Sequence, residues 1–200
     1  MNTSHYIAQF FLNFSHFGVL LTLFMVGFIA LDRKIWGQAL FLMLFTMILN
    51  TVLKYFFHVP LMPHLGKGFA FPSGHMHAAM AFYGWLFVCY RHPALRSLIL
   101  TVLTGIGFSL IYFHYHTFID VIGAVGFGSL GLFIYYPCTR ITVFRKHPSL
   151  LGLTLCSLAV PLLILLAQKY FIPSHVWQAF YGLLAFSLIW QLWALLLSAK

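Results

Sequence analysis

Apolar residues fall along this chain in seven long runs, near 7–31, 37–57, 73–90, 94–113, 117–137, 149–170 and 174–198, separated by polar breaks. A stretch of roughly 20 apolar residues crosses a bilayer as a helix. The pattern predicts an all-α, polytopic membrane helix bundle of six or seven transmembrane helices. No repeat, low-complexity tract or linker interrupts it, so residues 1–200 read as a single membrane domain. The longest polar interruption, residues 58–72, holds Pro60, Pro63, Gly66 and Gly68, and functional loops are often of this kind. Breaks near 32–36, 91–93 and 138–148 are short, which implies antiparallel neighbours. The first run has no positive charge before it and Asp32-Arg33-Lys34 after it, the reverse of a secretory signal, so it is expected to be retained.

Composition agrees: 62% of the 200 residues are hydrophobic, 19% aromatic and only 6% charged, far from soluble usage. Charge adds a direction. With seven alternating helices, one side carries Arg33, Lys34, Arg91, Arg96, Arg140, Arg145, Lys146 and Lys200, and the other only Lys54, Lys67 and Lys169. That bias places the first side in the cytoplasm, the N-terminus outside, and the 58–72 loop on the outer face. The expected location is a bacterial-type inner (plasma) membrane with a site facing the periplasm. The net charge of +9 then faces anionic lipid, and no nucleic-acid partner is needed. Cys89, Cys138 and Cys156 avoid the outer loops and read as packing residues rather than a disulfide. Gly123, Ala124, Gly126, Gly128 and Gly131 in the fifth run would allow close helix approach.

Two polar stretches sit where apolar runs begin on the outer side, Phe71-Pro72-Ser73-Gly74-His75 and His116-Thr117-Phe118-Ile119-Asp120. A helix start with Pro, Ser and Gly in its first turn leaves backbone N–H groups free to hold an anion. His116 and Asp120, four apart, would share a helix face, so the carboxylate orients one ring nitrogen and the other attacks. His75 would protonate a leaving oxygen. The alternative is that these are polar helix ends at an interface. The chain has no Glu and only two Asp, Asp32 in a cytoplasmic turn and Asp120, so Asp120 is the one acidic side chain an outer site can use. Of 11 histidines, His5, His58, His64, His75, His77, His114, His116 and His175 fall on or near the outer face. His5 and His175 read as tolerated interfacial residues, whereas His58, His64, His77 and His114 bracket the site and can donate to phosphate. The doublets His75/His77 and His114/His116 resemble metal ligands, but residues two apart diverge on a helix, so no metal and no cofactor is expected.

Lys54 to Met62, then Phe71 to His75, then Ser109 to Ala124 resemble the three motifs of the type 2 phosphatidic acid phosphatase superfamily, which includes vanadium haloperoxidases and lipid phosphotransferases. Pro-Ser-Gly-His is intact, and Ser109, His116 and Asp120 are in register with the third motif; the motif-bearing core spans about 37–137. The resemblance implies His116 as a nucleophile forming phosphohistidine, Asp120 as its orienter, His75 as the acid, and Lys54, Ser73 and Gly74 as phosphate-holding residues. The family's arginines are missing: Leu61-Met62 stand for Arg-Pro, Leu110 for the Arg after Ser, and Val59 for a further Arg. Bidentate guanidinium contacts are among the strongest a phosphate receives. Lys67, eight residues before His75, is either a partial substitute or a solvated loop lysine. A phosphodiester carries one charge and needs less neutralisation, and the segment His114 to Val121 is also similar to the sphingomyelin synthase and inositol phosphorylceramide synthase branch. The expectation is therefore cleavage or transfer of a phospholipid headgroup. The alternatives are an ordinary lipid phosphate or isoprenyl pyrophosphate phosphatase, and a catalytically weak relative that binds or moves lipids.

Overall fold

Each predicted run is helical, but the first is broken. In the computed structural model, which describes residues 3–198, it forms α1 (Thr3–Asn13) and α2 (Phe17–Ala30), bent by 56°. The cause is the polar Ser15-His16 step. The Ser15 hydroxyl and backbone N–H both donate to Leu12 O, closing α1, and His16 is extended (φ −72°, ψ 135°) where α2 starts. There follow α3 (Arg33–Phe57), α4 (Gly74–Cys89), α5 (Pro93–Tyr112), α6 (Phe118–Arg140), the short α7 (Thr142–Lys146), α8 (Pro148–Ala167) and α9 (Ser174–Ser198). Asp32 caps α3 by accepting from Ile35 N at 2.9 Å, and proline opens α5 and α8 where its missing N–H costs nothing. Among the described residues five helices are long and apolar enough to span a bilayer, or six when the bent pair is counted as one span. The remaining run is α4, whose 16 residues are short for a span and buried through most of their length. The chain is thus an integral membrane protein. Lys200, counted above on the basic side, lies outside the described residues.

Side-chain ties fix how the helices run. The end of α3 meets the start of α4 through Asn50 and Pro72 O, and its start meets the end of α4 through Trp85 and Ile35 O, so the two are antiparallel. Tyr135 of α6 donates to Gln38 O of α3 in the same sense, and Ser149 to Gln191 sets α8 against α9. Within hydrocarbon, close approach supplies the association energy, and here rings fill notches over glycine. A Cβ on Gly27 would lie 2.0 Å from Trp36, on Gly37 2.2 Å from Trp190, on Gly105 2.3 Å from Phe11, and on Gly123 2.2 Å from Phe71. The ends of the bundle consequently differ. Arg33, Lys34, Arg91, Arg96, Arg140, Arg145 and Lys146 gather at one, where Lys34 Nζ donates to Arg145 O across two turns. At the other, residues 58–73 fold into a small hairpin joined by Leu61 N to Gly68 O and Ala70 N to Val59 O, around a 3-10 turn at Pro63–Leu65. Gly66 (φ 93°) and Gly68 (φ 147°) turn it, at angles a side chain resists.

Candidate functional site

A cavity of about 740 Å³ opens at the hairpin end, where α3 finishes and α4, α6 and α9 begin. Lys54, Lys67, His75, His116 and His175 line its upper part; Asn50 and Thr51 follow, and Met47, Phe17 and Ala78 lie deeper. The gradient is legible along α3 itself. Lys54, Asn50 with Thr51, Met47 and Met43 recur at three- and four-residue steps on one face. No arginine lines the cavity.

The start of α4 is held from two sides. Ser73, fully buried, is its N-cap and accepts from Met76 N at 3.5 Å, while its own N–H donates to Asp120 O at 3.1 Å. The two motif stretches, 47 residues apart in sequence between Ser73 and Asp120, are thereby joined through backbone. Asn50 donates to Pro72 O and reaches His77 Nδ1, both at 3.2 Å, and its Oδ1 would lie 3.3 Å from a Cβ placed on Gly74. Glycine at 74 therefore lets the first turn of α4 sit close against α3. His75 faces the cavity, and two residues on, His77 points into the core with 1% of its surface exposed.

His116 and Asp120 meet by a different route from the helical one. Thr117, extended at φ −75°, ψ 164°, is the N-cap of α6, so His116 precedes the helix and Asp120 occupies its first turn. Thr117 Oγ1 accepts from Asp120 N at 3.2 Å, and Thr117 N donates to Asp120 Oδ2 at 2.8 Å, a capping box. The same Oδ2 stands 3.6 Å from His116 Nδ1, beyond a hydrogen bond. That nitrogen is buried and has no hydrogen-bond partner, Asp120 facing it at ion-pair distance. Burial lowers the pKa of His116, the positive charge of Lys54 lowers it further, Asp120 opposes the shift, and His75 adds to it. The neutral ring, the form that can attack, is favoured.

Lys54 Nζ donates to Phe69 O at 2.7 Å, tying the hairpin to α3 with two donors left for an anion. Of the residues expected at a site, Lys54, Gly74, His75, His116 and Lys67 come together on the cavity, with Asp120 behind His116. Ser73 and His77 lie beneath it, in the support just described. His58 and His114 are exposed left-handed residues (φ 53° and 54°) off the lining; His58 Nε2 contacts Tyr170 Oη at 2.9 Å. Leu110 is fully buried, and its carbonyl accepts from Tyr115 N and His116 N, so it shapes the turn carrying His116. Leu61 lines the cavity.

Sequence reasoning overlooked Asn50 and His16 and set His175 aside. Thr46, Asn50 and Lys54 at four-residue spacing inside an apolar span were the available signal for Asn50. His16 comes to 6.1 Å from His75, ring centre to ring centre, only because the first span breaks. Comparison of the chain with protein-family models, with curated proteins and with solved structures finds no match.

Proposed function

We propose that this chain is an integral-membrane lipid phosphoryl-transfer enzyme whose nucleophile is His116. The observation that carries the reading is a buried His–Asp pair beside a second histidine and a lysine, at the polar head of a cavity that turns apolar with depth. In the proposed cycle neutral His116 attacks phosphorus, a P–N bond forms, and the P–O bond to the lipid alcohol breaks. His75, whose pKa is lowered by burial and by the charges of His16 and Lys54, must first take up a proton, aided by the anionic phosphate, and then gives it to that departing oxygen. Water or a second lipid hydroxyl then attacks phosphorus, His75 takes the incoming proton, and the P–N bond breaks to restore His116. Asp120 stabilises the charge that His116 acquires, and Lys54 and the N–H groups opening α4 hold the phosphoryl oxygens.

With two lysines and no guanidinium at the cavity, a singly charged phosphodiester is matched better than a terminal phosphate dianion. We therefore favour headgroup cleavage or transfer on a phospholipid. The ordinary phosphatase reading has one observation in its favour, that Lys67 and His175 also line the cavity. The basic end belongs in the cytoplasm by charge bias, which puts the site on the outer face of a plasma-type membrane.

Mass spectrometry of wild type and His116→Ala, incubated with phosphatidate, isoprenyl pyrophosphate and diacyl phospholipids, separates these readings. Diacylglycerol with an intact phosphorylated headgroup, dependent on His116, is the expected result. Inorganic phosphate dependent on His116 establishes the phosphatase instead, and no turnover with unchanged lipid retention in His116→Ala leaves a lipid-binding protein.

A further inference from the structure

A second recess lies at the opposite, basic end of the bundle. It measures about 320 Å³ and runs between the end of α2 and the later half of α9, over the start of α3. Trp190, seated on Gly37, makes its floor, and Phe28 meets that indole edge-on at 5.5 Å. Ile29 and Ile189, exposed by 68% and 64%, make its walls. The exposed residues nearby, Val26, Leu188 and Leu192, are apolar, so the recess opens to hydrocarbon. Arg33 stands at its head. The guanidinium lies over the Trp193 ring, 4.8 Å from the centroid, and among the described residues it forms no ion pair. Stacked in this way, it keeps its N–H edge free for a planar, two-oxygen partner.

We infer that this recess binds one anionic phospholipid of the adjoining leaflet, with its phosphate on Arg33 and one acyl chain along Ile29, Trp190 and Ile189. The headgroup follows from charge. Among the described residues seven basic side chains, Arg33 and Lys34 among them, gather at this end against one carboxylate, Asp32, which is committed to capping α3. Each basic side chain near a membrane surface favours an anionic lipid by about fivefold, and Arg33 adds a directed contact. A second copy of the chain fits the recess less well. Copies in one membrane share an orientation, so pairing here would set two basic ends side by side at the same depth. The acyl chain passes from hydrocarbon to hydrocarbon and gains little by the move, so selectivity rests on the headgroup.

Photolabelling in phosphatidylcholine nanodiscs tests this, using phosphatidylglycerol and phosphatidylcholine probes that carry a diazirine midway along one acyl chain. Mass spectrometry of digests locates the label. The expected result is saturable labelling of α2 and α9 at the recess, preferring the phosphatidylglycerol probe by about fivefold to tenfold and competed by unlabelled phosphatidylglycerol. Arg33→Gln should abolish the preference. Ile189→Trp, which fills the recess and keeps the charge, should abolish the labelling itself. Arg91→Gln removes the same charge from the same end but off the recess, and should leave both unchanged. An equal loss in Arg91→Gln means diffuse surface charge and overturns the site, and equal labelling by the two probes overturns the anionic lipid. Absence of saturable labelling, with dimers that Ile189→Trp disperses, puts a second copy in the recess instead. None of these readouts uses turnover, so this site and the phosphoryl-transfer reading stand or fall separately.

Discussion

At Asp120 one carboxylate oxygen accepts from the N-cap backbone of α6 and faces His116 at 3.6 Å, so a single atom has a structural and an electrostatic task. The tasks separate by substitution. Thr117→Val removes the capping hydroxyl and keeps the carboxylate; it should lower stability by about 1 kcal/mol in detergent melts and leave most of the turnover. On the proposed cycle Asp120→Asn should lower kcat by about a hundredfold or more, the range for losing a preorganised charge beside a nucleophile that becomes cationic. The pH profile carries a sign. The His116 pKa is lowered, first by burial and then by Lys54, so the neutral ring persists as pH falls. The acid limb of kcat/KM should therefore lie below the ordinary histidine value of about 6.5. Because Asp120 is what opposes the shift, Asp120→Asn should move that limb lower still even as it slows the reaction. A limb at the ordinary value, unmoved by Asp120→Asn, would place the titration on another group.

Among the elements, α3 does most to position the site, and Asn50 is its hinge point. Asn50→Leu removes two ties at once, to Pro72 O and to His77, and leaves a buried imidazole nitrogen unpaired. The expected cost is about 1–3 kcal/mol, read by thermal melting, with a further loss of turnover as Gly74 and His75 shift. The helices of this site were legible in the sequence because each is a long apolar run, and the motif stretches because they open such runs. The capping box was also written there, as Thr117-x-x-Asp120, but the same four-residue spacing between His116 and Asp120 fitted a helical face equally well. Only the extended Thr117 decides between them. The break between α1 and α2 was not legible, since Ser15 and His16 interrupt the run without Pro, and Gly18 beside them is a single glycine of the kind a membrane helix tolerates. Divergence of His75 from His77 followed from the helical period, yet which of the two faces the cavity depends on Asn50, across the bundle.

For the whole molecule, the charge bias predicts an orientation that chemistry in intact cells can check. With Cys89, Cys138 and Cys156 replaced by alanine, His64→Cys in the hairpin should react with an impermeant maleimide, and Arg145→Cys should react only after permeabilisation. The reverse pattern would put the site in the cytoplasm. The rings seated over glycines join these helices through pairs of residues far apart in the chain, Gly37 with Trp190 and Gly105 with Phe11 among them. Such a pair behaves as one inherited character. A methyl group on Gly37 collides with the indole while Trp190 is present, and loss of the indole first opens a void that alanine at 37 then partly fills. Descendants of this chain can cross between the two states more easily in one order of mutation than in the other, so the history of each notch should be written in its ring.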